Sequence, residues 1–388
     1  MNMHYYYIIL FLTSLFIMTT SYGLQHAYLI NPVHTSQDIQ IKNIERLLYS
    51  INSSVKESIF YETILPKPTG KLIENQKTIS SLRGSIEPNK FLIEEFPVPS
   101  GSHPHDVAPA IDGTIWYTAQ RSGELGKLDP ITGETYHIYL GNGSAPHGVI
   151  VGPDGAPWIT DGGLNAIVRV DPMTKEIKIY SLPADNIYAN LNTATFDKRG
   201  ILWFTGQNGI YGNLDPTTGI IKVFSSPRGN GPYGITTTPD GEVYFASLAG
   251  SYIAHVNLET GNATLLEPPT LDQGARRVWS DSFNRIWVSE WDSGKLGMYD
   301  PDTKIWKEWN LPGENPLPYA VYVDEHDKVW ISDFGSNSFV RFDPKLGNFK
   351  EFKLPSKDAK VRQILGTIGE IWGAESGTDK LVRVKMSD

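Results

Sequence analysis

An aromatic residue recurs through this chain every 41 to 45 positions, at Trp116, Trp158, Trp203, Tyr244, Trp287, Trp330 and Trp372. Self-similarity at such a period dictates a repeat architecture before any single motif is read. Each anchor lies in a short run rich in β-branched and aromatic residues: IWYTA, PWITD, LWFTG, VYFAS, IWVSE, VWISD and IWGAE. Such runs favour strands. A turn signal such as Asp154-Gly155 or Asp240-Gly241 precedes most of them, and an alternating segment such as Ala166-Ile167-Val168-Arg169-Val170 follows. Next comes a hairpin signal, as in Asp129-Pro130, Asp171-Pro172, Asp215-Pro216, Asp300-Pro301 and Asp343-Pro344. A last strand then usually closes on proline, as at Pro183. Four strands in a unit of this length make the blade of a β-propeller. The expected fold is all-β, a seven-bladed β-propeller of four-stranded blades.

The two ends of the repeat array complete each other. The seventh unit stops at Leu381-Val382-Arg383-Val384-Lys385, without a fourth strand. The segment Phe91–Pro99, ahead of the first anchor, reads as an orphan fourth strand. Pairing it with the last unit would close the ring and leave only short edges. The organisation expected is therefore a signal peptide or N-terminal anchor over 1–23, a poorly ordered spacer over 24–90 and the propeller over 91–388. Tyr5 to Tyr22 carries no charge, and Ser21-Tyr22-Gly23 offers a small-x-small cleavage site. That segment predicts a secreted or extracytoplasmic protein, tied to a membrane only if the segment is retained. One helix is expected within the spacer, around 39–59.

Composition narrows the chemistry. There is no cysteine among the 388 residues, which excludes disulfides, thiolate metal sites and a cysteine nucleophile. The 36 glycines and 26 prolines fit a chain of many turns. The formal charge of −9 argues against nucleic acid as a partner. A small molecule is the expected partner, bound by a monomer.

Propeller topology says where to look for a site. The innermost strand of a blade begins where the second strand ends, on the same face, beside the channel mouth. The inner-strand starts are His105, His147, Asn192, Tyr233, Arg276, Tyr319 and Arg362. The second-strand ends are Ala119, Asp161, Gly206, Ser247, Glu290, Asp333 and Glu375. Two histidines, two arginines and four carboxylates at equivalent points of different units suggest a binding site. Within a blade, Asp161 faces His147, Glu290 faces Arg276, Asp333 faces Tyr319 and Glu375 faces Arg362, so mutual pairing is an alternative use of the same groups. His105 has no acid in its own blade, and ring closure would give it Glu375 as a neighbour. Asp161, Glu375, Glu290 and Asp333, with the histidines, are candidate ligands for Mg²⁺ or a related ion. His103-Pro104-His105-Asp106 looks like a chelate, but one buried and one exposed histidine is the plainer expectation. The tryptophan series is expected to pack between blades.

The recurring pattern Pro-His-Gly-Val, Asp-Gly, Trp-Ile-Thr-Asp resembles the virginiamycin B lyase (streptogramin B lyase) family. It stands here as Ala145-Pro146-His147-Gly148-Val149 followed by Trp158-Ile159-Thr160-Asp161, and recurs as Gly231-Pro232-Tyr233-Gly234-Ile235 and Trp203-Phe204-Thr205-Gly206. The resemblance covers residues 91 to about 385. It implies ring opening of a cyclic depsipeptide ester by β-elimination, with Mg²⁺ at the channel mouth. By the same resemblance His147 matches the general base and His105 the supporting, substrate-contacting histidine. One family metal-ligand position falls on Asp161 and the other on Ala145, leaving Glu375 or His103 to complete a metal site. Asn192, Tyr233, Arg276, Tyr319 and Arg362 are then the substrate-binding rim.

Two other functions share this fold class. A gluconolactonase-like lactone hydrolase would draw its divalent cation ligands from Asn192, Glu375 and Asp161. A non-catalytic envelope binding propeller would bind at the rim without chemistry. Fold alone does not choose among the three.

Overall fold

The computed structural model describes residues 90–186 and 188–387. The N-terminal segment, the spacer and its expected helix lie outside the described residues. The described chain forms 28 strands in seven four-stranded antiparallel sheets, and contains no helix. Six sheets take their strands consecutively, in the order inner, second, third, outer. The seventh joins the last three strands of the chain to the first one, Lys90–Pro97.

That closure is the seam predicted from the sequence. Lys90–Pro97 runs antiparallel to Lys380–Ser387 in unbroken register, from Lys90 opposite Ser387 to Pro97 opposite Lys380. Side chains reinforce the ladder. Arg383 reaches Glu94 at 2.7 Å and Glu370 at 3.1 Å, and Lys380 reaches Glu95 at 2.5 Å. Phe96 packs on Trp372 with ring centroids 5.3 Å apart. The expected paired segment extended to Pro99, but the strand stops at Pro97.

The anchors work as inter-blade packing. Trp116 of blade one packs with Val149 and Ile159 of blade two, and Trp203 of blade three with Ile235 and Phe245 of blade four. Trp372 of blade seven packs with Val107 and Tyr117 of blade one, so the same contact closes the ring. An indole also carries a donor that needs a partner when buried. The inner turn supplies it: Asp154, Asp197, Asp281 and Asp324 accept from Trp158, Trp203, Trp287 and Trp330 at 2.8–3.0 Å. The Asp-Pro hairpins are turn chemistry as expected, with the aspartate accepting backbone N–H groups two and three residues on, as Asp171 does from Met173 and Thr174.

Candidate functional site

One irregularity repeats in every blade and builds the mouth of the channel. The inner and second strands pair cleanly except near the start of the inner strand, where all seven ladders slip at a β-bulge. A bulge leaves one backbone group unpaired and re-aims side chains. In five blades a hydroxyl two residues after the anchor repairs the gap. Thr160 Oγ1 accepts the Gly148 N–H at 2.9 Å and donates to the Asn192 carbonyl of the next blade at 2.5 Å. Thr118, Thr205, Ser289 and Ser332 take the same bulge N–H in their blades. Gly148 is required at this crossing. A Cβ there would lie 2.5 Å from the Asn192 carbonyl oxygen and 2.7 Å from Thr160 Oγ1.

The bulge puts two successive residues to work in several blades. The seven predicted inner-strand starts are each the second residue of their strand. They touch one another around the mouth. The His105 and His147 rings lie 3.7 Å apart, and His147 meets Tyr233 edge-on at 6.1 Å. The Tyr233 and Tyr319 hydroxyls are 2.6 Å apart. Arg276 donates to the Tyr233 hydroxyl at 3.0 Å and lies over the Tyr319 ring at 3.7 Å. Arg362 reaches the Tyr319 hydroxyl at 3.4 Å and Ser376 at 2.8 Å.

The third residues lie in a buried layer that sequence reasoning missed. Arg277 of blade five crosses the channel to Asp106 of blade one at 3.1 Å and to the Thr193 hydroxyl of blade three. Both histidine tautomers follow from this bridge. His105 Nδ1–H donates to Asp106 at 2.7 Å, which leaves Nε2 as its unprotonated nitrogen. The Thr193 hydroxyl donates to the Asn192 side-chain oxygen at 2.7 Å, so the Asn192 amide donates to His147 Nε2 at 3.2 Å. His147 Nδ1–H donates to the Asn192 carbonyl at 3.1 Å, and both its nitrogens are occupied. A cavity of about 420 Å³, lined by Arg277, Thr193, Gln363 and mostly apolar residues such as Ile150 and Val321, lies at the far ends of the inner strands.

Electrostatics follow from burial beside cations. Burial, then Arg362 and Arg277, hold the His105 imidazole well below its ordinary pKa. Burial and His105 do the same to His147, against the pull of Asp106. Both are neutral at neutral pH. Burial raises Asp106 against the opposing effect of Arg277. Burial alone would raise Tyr319, but Arg276, Arg277 and Arg362 outweigh it and leave the phenol lowered.

The four predicted metal carboxylates do not join this cluster, nor do they pair with His147, Arg276, Tyr319 and Arg362, the inner-strand residues they were expected to face. Asp161 accepts from the Ser144 hydroxyl and from the N–H groups of Ala145, Gly163 and Leu164. Asp333 accepts from those of Leu317, Gly335 and Ser336. Glu290 accepts from Ser293, and Glu375 from Thr378 rather than neighbouring His105. The cause is local. Each acid stands opposite the first residue of the inner strand, as Asp161 stands opposite Pro146, and the following turn offers free donors. The histidine pair separates as expected in part: His105 is buried, whereas His103 is half-buried, in a left-handed backbone conformation, with its N–H on Asp379.

Among the described residues, the group with metal-ligand spacing is His105, Asp106 and His147. It does not fit Mg²⁺, which prefers an octahedron of oxygens. The set offers two imidazoles and one carboxylate already shared between His105 and Arg277. The Ala145 side chain has no atom that can bind a metal. The lactonase set also stays apart, since the Asn192 side chain serves His147 and Thr193 while Asp161 and Glu375 bind their own turns.

Comparisons with known proteins agree with the architecture. The model of the virginiamycin B lyase family matches residues 76–332 and 141–388. The structure superposes on virginiamycin B lyase from Staphylococcus aureus with a TM-score of 0.71 at 22% identity, covering 76% of this chain and 100% of that one. A catalytically inactive histidine-to-alanine variant of that lyase, with quinupristin, matches at the same TM-score, identity and coverage. The extracellular domain of a hybrid two-component system from B. thetaiotaomicron shares the fold at a TM-score of 0.63 and 16% identity, over 76% of this chain and 43% of that one. No curated protein matches. The family match spans the entire propeller, and the chain belongs to the virginiamycin B lyase family.

Proposed function

We propose that this protein is an extracytoplasmic lyase that opens an ester-containing substrate by β-elimination at the channel mouth. The observation that carries the reading is the Asp106–His105 pair, a neutral imidazole oriented by a carboxylate beside a second histidine. His105 Nε2 takes the proton from the carbon next to a carbonyl. The C–H electron pair becomes the new C=C bond, and the C–O bond on the neighbouring carbon breaks, its pair leaving on the ester oxygen. A neutral imidazole suits the first step. His147, with both nitrogens given to Asn192, forms the wall that holds the substrate against His105. These roles reverse those implied by the resemblance.

The location outside the cytoplasm rests on the uncharged segment Tyr5–Tyr22. The B. thetaiotaomicron domain of the same fold is an extracellular domain. Because the donor set at the mouth does not fit Mg²⁺, no step is routed through a metal.

The test is incubation of the full chain with quinupristin and simpler esters in water labelled with heavy oxygen. An unsaturated product without solvent oxygen is expected. His105→Ala should lower the rate by about 10²–10⁴-fold, and His147→Ala by less. A product carrying solvent oxygen would make the protein a hydrolase. Equal activity of wild type and His105→Ala would remove His105 from the chemistry.

A further inference from the structure

The mouth is cationic in a protein whose formal charge is −9. Arg276 and Arg362 flank one phenol, Tyr319, from blades five and seven. Neither guanidinium has a carboxylate partner among the described residues, whereas Arg277 in the layer beneath is paired with Asp106. The acids nearest in sequence pattern, Glu290, Asp333 and Glu375, are all turned into their own loops. Arg276 Nε is buried and makes no hydrogen bond. Its guanidinium is held by π-faces, 3.7 Å from the Tyr319 ring centre, 4.5 Å from Trp291 and 4.6 Å from Tyr233. Phe334 stacks on Tyr319 with ring centroids 4.9 Å apart. The hydroxyls of Tyr233, Tyr319 and Ser376 occupy only part of the ten N–H donors that two guanidiniums carry (roughly five each). Two half-buried, unneutralised forks gathered about the same phenol can receive a planar anion.

We propose that Arg276 and Arg362 clamp a substrate carboxylate borne on the carbon that loses its proton, so that the substrate is a β-acyloxy carboxylate and its capture needs no divalent cation. The inference rests on the lyase reading above and specifies its substrate class. A proton beside a carboxylate is hard to remove, because the resulting enediolate carries a second negative charge. Two guanidiniums fixed on its oxygens stabilise that charge as it forms, in a site where water is partly excluded. The proton passes to His105 Nε2, the C–H pair becomes the double bond, and the acyl group departs as a carboxylate with the C–O pair. No oxidant or co-reactant is consumed.

A matched pair of probes tests this: N-acetyl-O-acetylserine and its uncharged N-methylamide, with the full chain, in EDTA and again in Mg²⁺. Binding is read by calorimetry and elimination by the ultraviolet absorbance of the dehydroalanine product. The acid should bind roughly tenfold or more tightly than the amide, equally in EDTA and in Mg²⁺. Arg362→Gln and Arg276→Gln should each abolish that preference, with melting curves confirming that the variants fold. Equal binding of acid and amide overturns the clamp, as does an acid preference seen only with Mg²⁺ or kept by both variants. The two readings fail separately. Tight acid binding without any dehydroalanine keeps the clamp and ends the lyase reading. Dehydroalanine formed as readily from the amide as from the acid keeps the lyase and ends the clamp.

Discussion

His105 and Glu290 show how the same burial serves two ends. Both are buried, and both are shifted away from charge. For His105 the result is an imidazole ready to accept a proton. Its pKa lies well below the ordinary 6.5, so the acidic limb of the kcat/KM profile should fall below pH 6.5. A limb at or above 6.5 would contradict the neutral, arginine-flanked imidazole. The same depression affects stability. The unfolded chain binds the proton first as pH falls, so stability is lost from about pH 6.5 downward. Glu290 has the opposite sign. Burial, then Glu308, push its carboxyl up to about 8, and Oε1 has no hydrogen-bond partner. Its stability contribution is present below the unfolded value near 4.5 and is lost as pH rises through about 8. Glu290→Gln should therefore leave Tm nearly unchanged at pH 5 and raise it by roughly 2–4 °C or more at pH 9. Equal Tm values of variant and wild type at pH 9 would refute a strained buried carboxylate.

At the scale of the element, the bulge at the start of each inner strand decides what the mouth contains. Without it, side chains of successive residues would alternate across the sheet, and His105 could not meet Asp106 at the axis. The hydroxyl staple holds the bulge and ties it to the next blade. Thr160→Val keeps the shape but strands the Gly148 N–H and the Asn192 carbonyl. The expected cost is about 1–3 kcal/mol, measurable by urea unfolding. Because Asn192 also orients His147, substrate KM should rise as well. The signal was in the sequence: Thr118, Thr160, Thr205, Ser289 and Ser332 all stand two residues after an anchor. Its meaning was hidden, because a hydroxyl in a strand is equally a surface residue until the bulge beside it is known.

For the molecule as a whole, stability rests on closure. Lys90–Pro97 supplies the outer strand of the blade that holds Arg362, and Glu95 and Glu94 fix it to Lys380 and Arg383. A chain beginning after Pro97 would expose the entire edge of Lys380–Ser387, an invitation to intermolecular pairing. It should melt at lower temperature and aggregate in light scattering. Such a variant that stayed monomeric with an unchanged Tm would show the seam to be dispensable.

The sequence by itself determined the blade count, the closing strand and the seven rim positions, because each depends on a period or an offset along the chain. Eleven residues before an anchor is the same place in nearly every blade, so His105, His147, Asn192, Tyr233, Arg276 and Tyr319 could be named in advance; Arg362, in a blade whose turn is one residue shorter, needed its own alignment. Only the tertiary structure decided what those residues face. Arg277 and Asp106 are 171 residues apart and meet across the axis, a contact that no local pattern encodes. The directions of Asp161, Glu290, Asp333 and Glu375 were equally illegible, since donors in the adjoining turns, backbone N–H groups for the two aspartates and the Ser293 and Thr378 hydroxyls for the two glutamates, outcompete the channel for a carboxylate. Periodicity fixes where a backbone returns, whereas charge pairing is settled by whichever donor lies within reach in three dimensions.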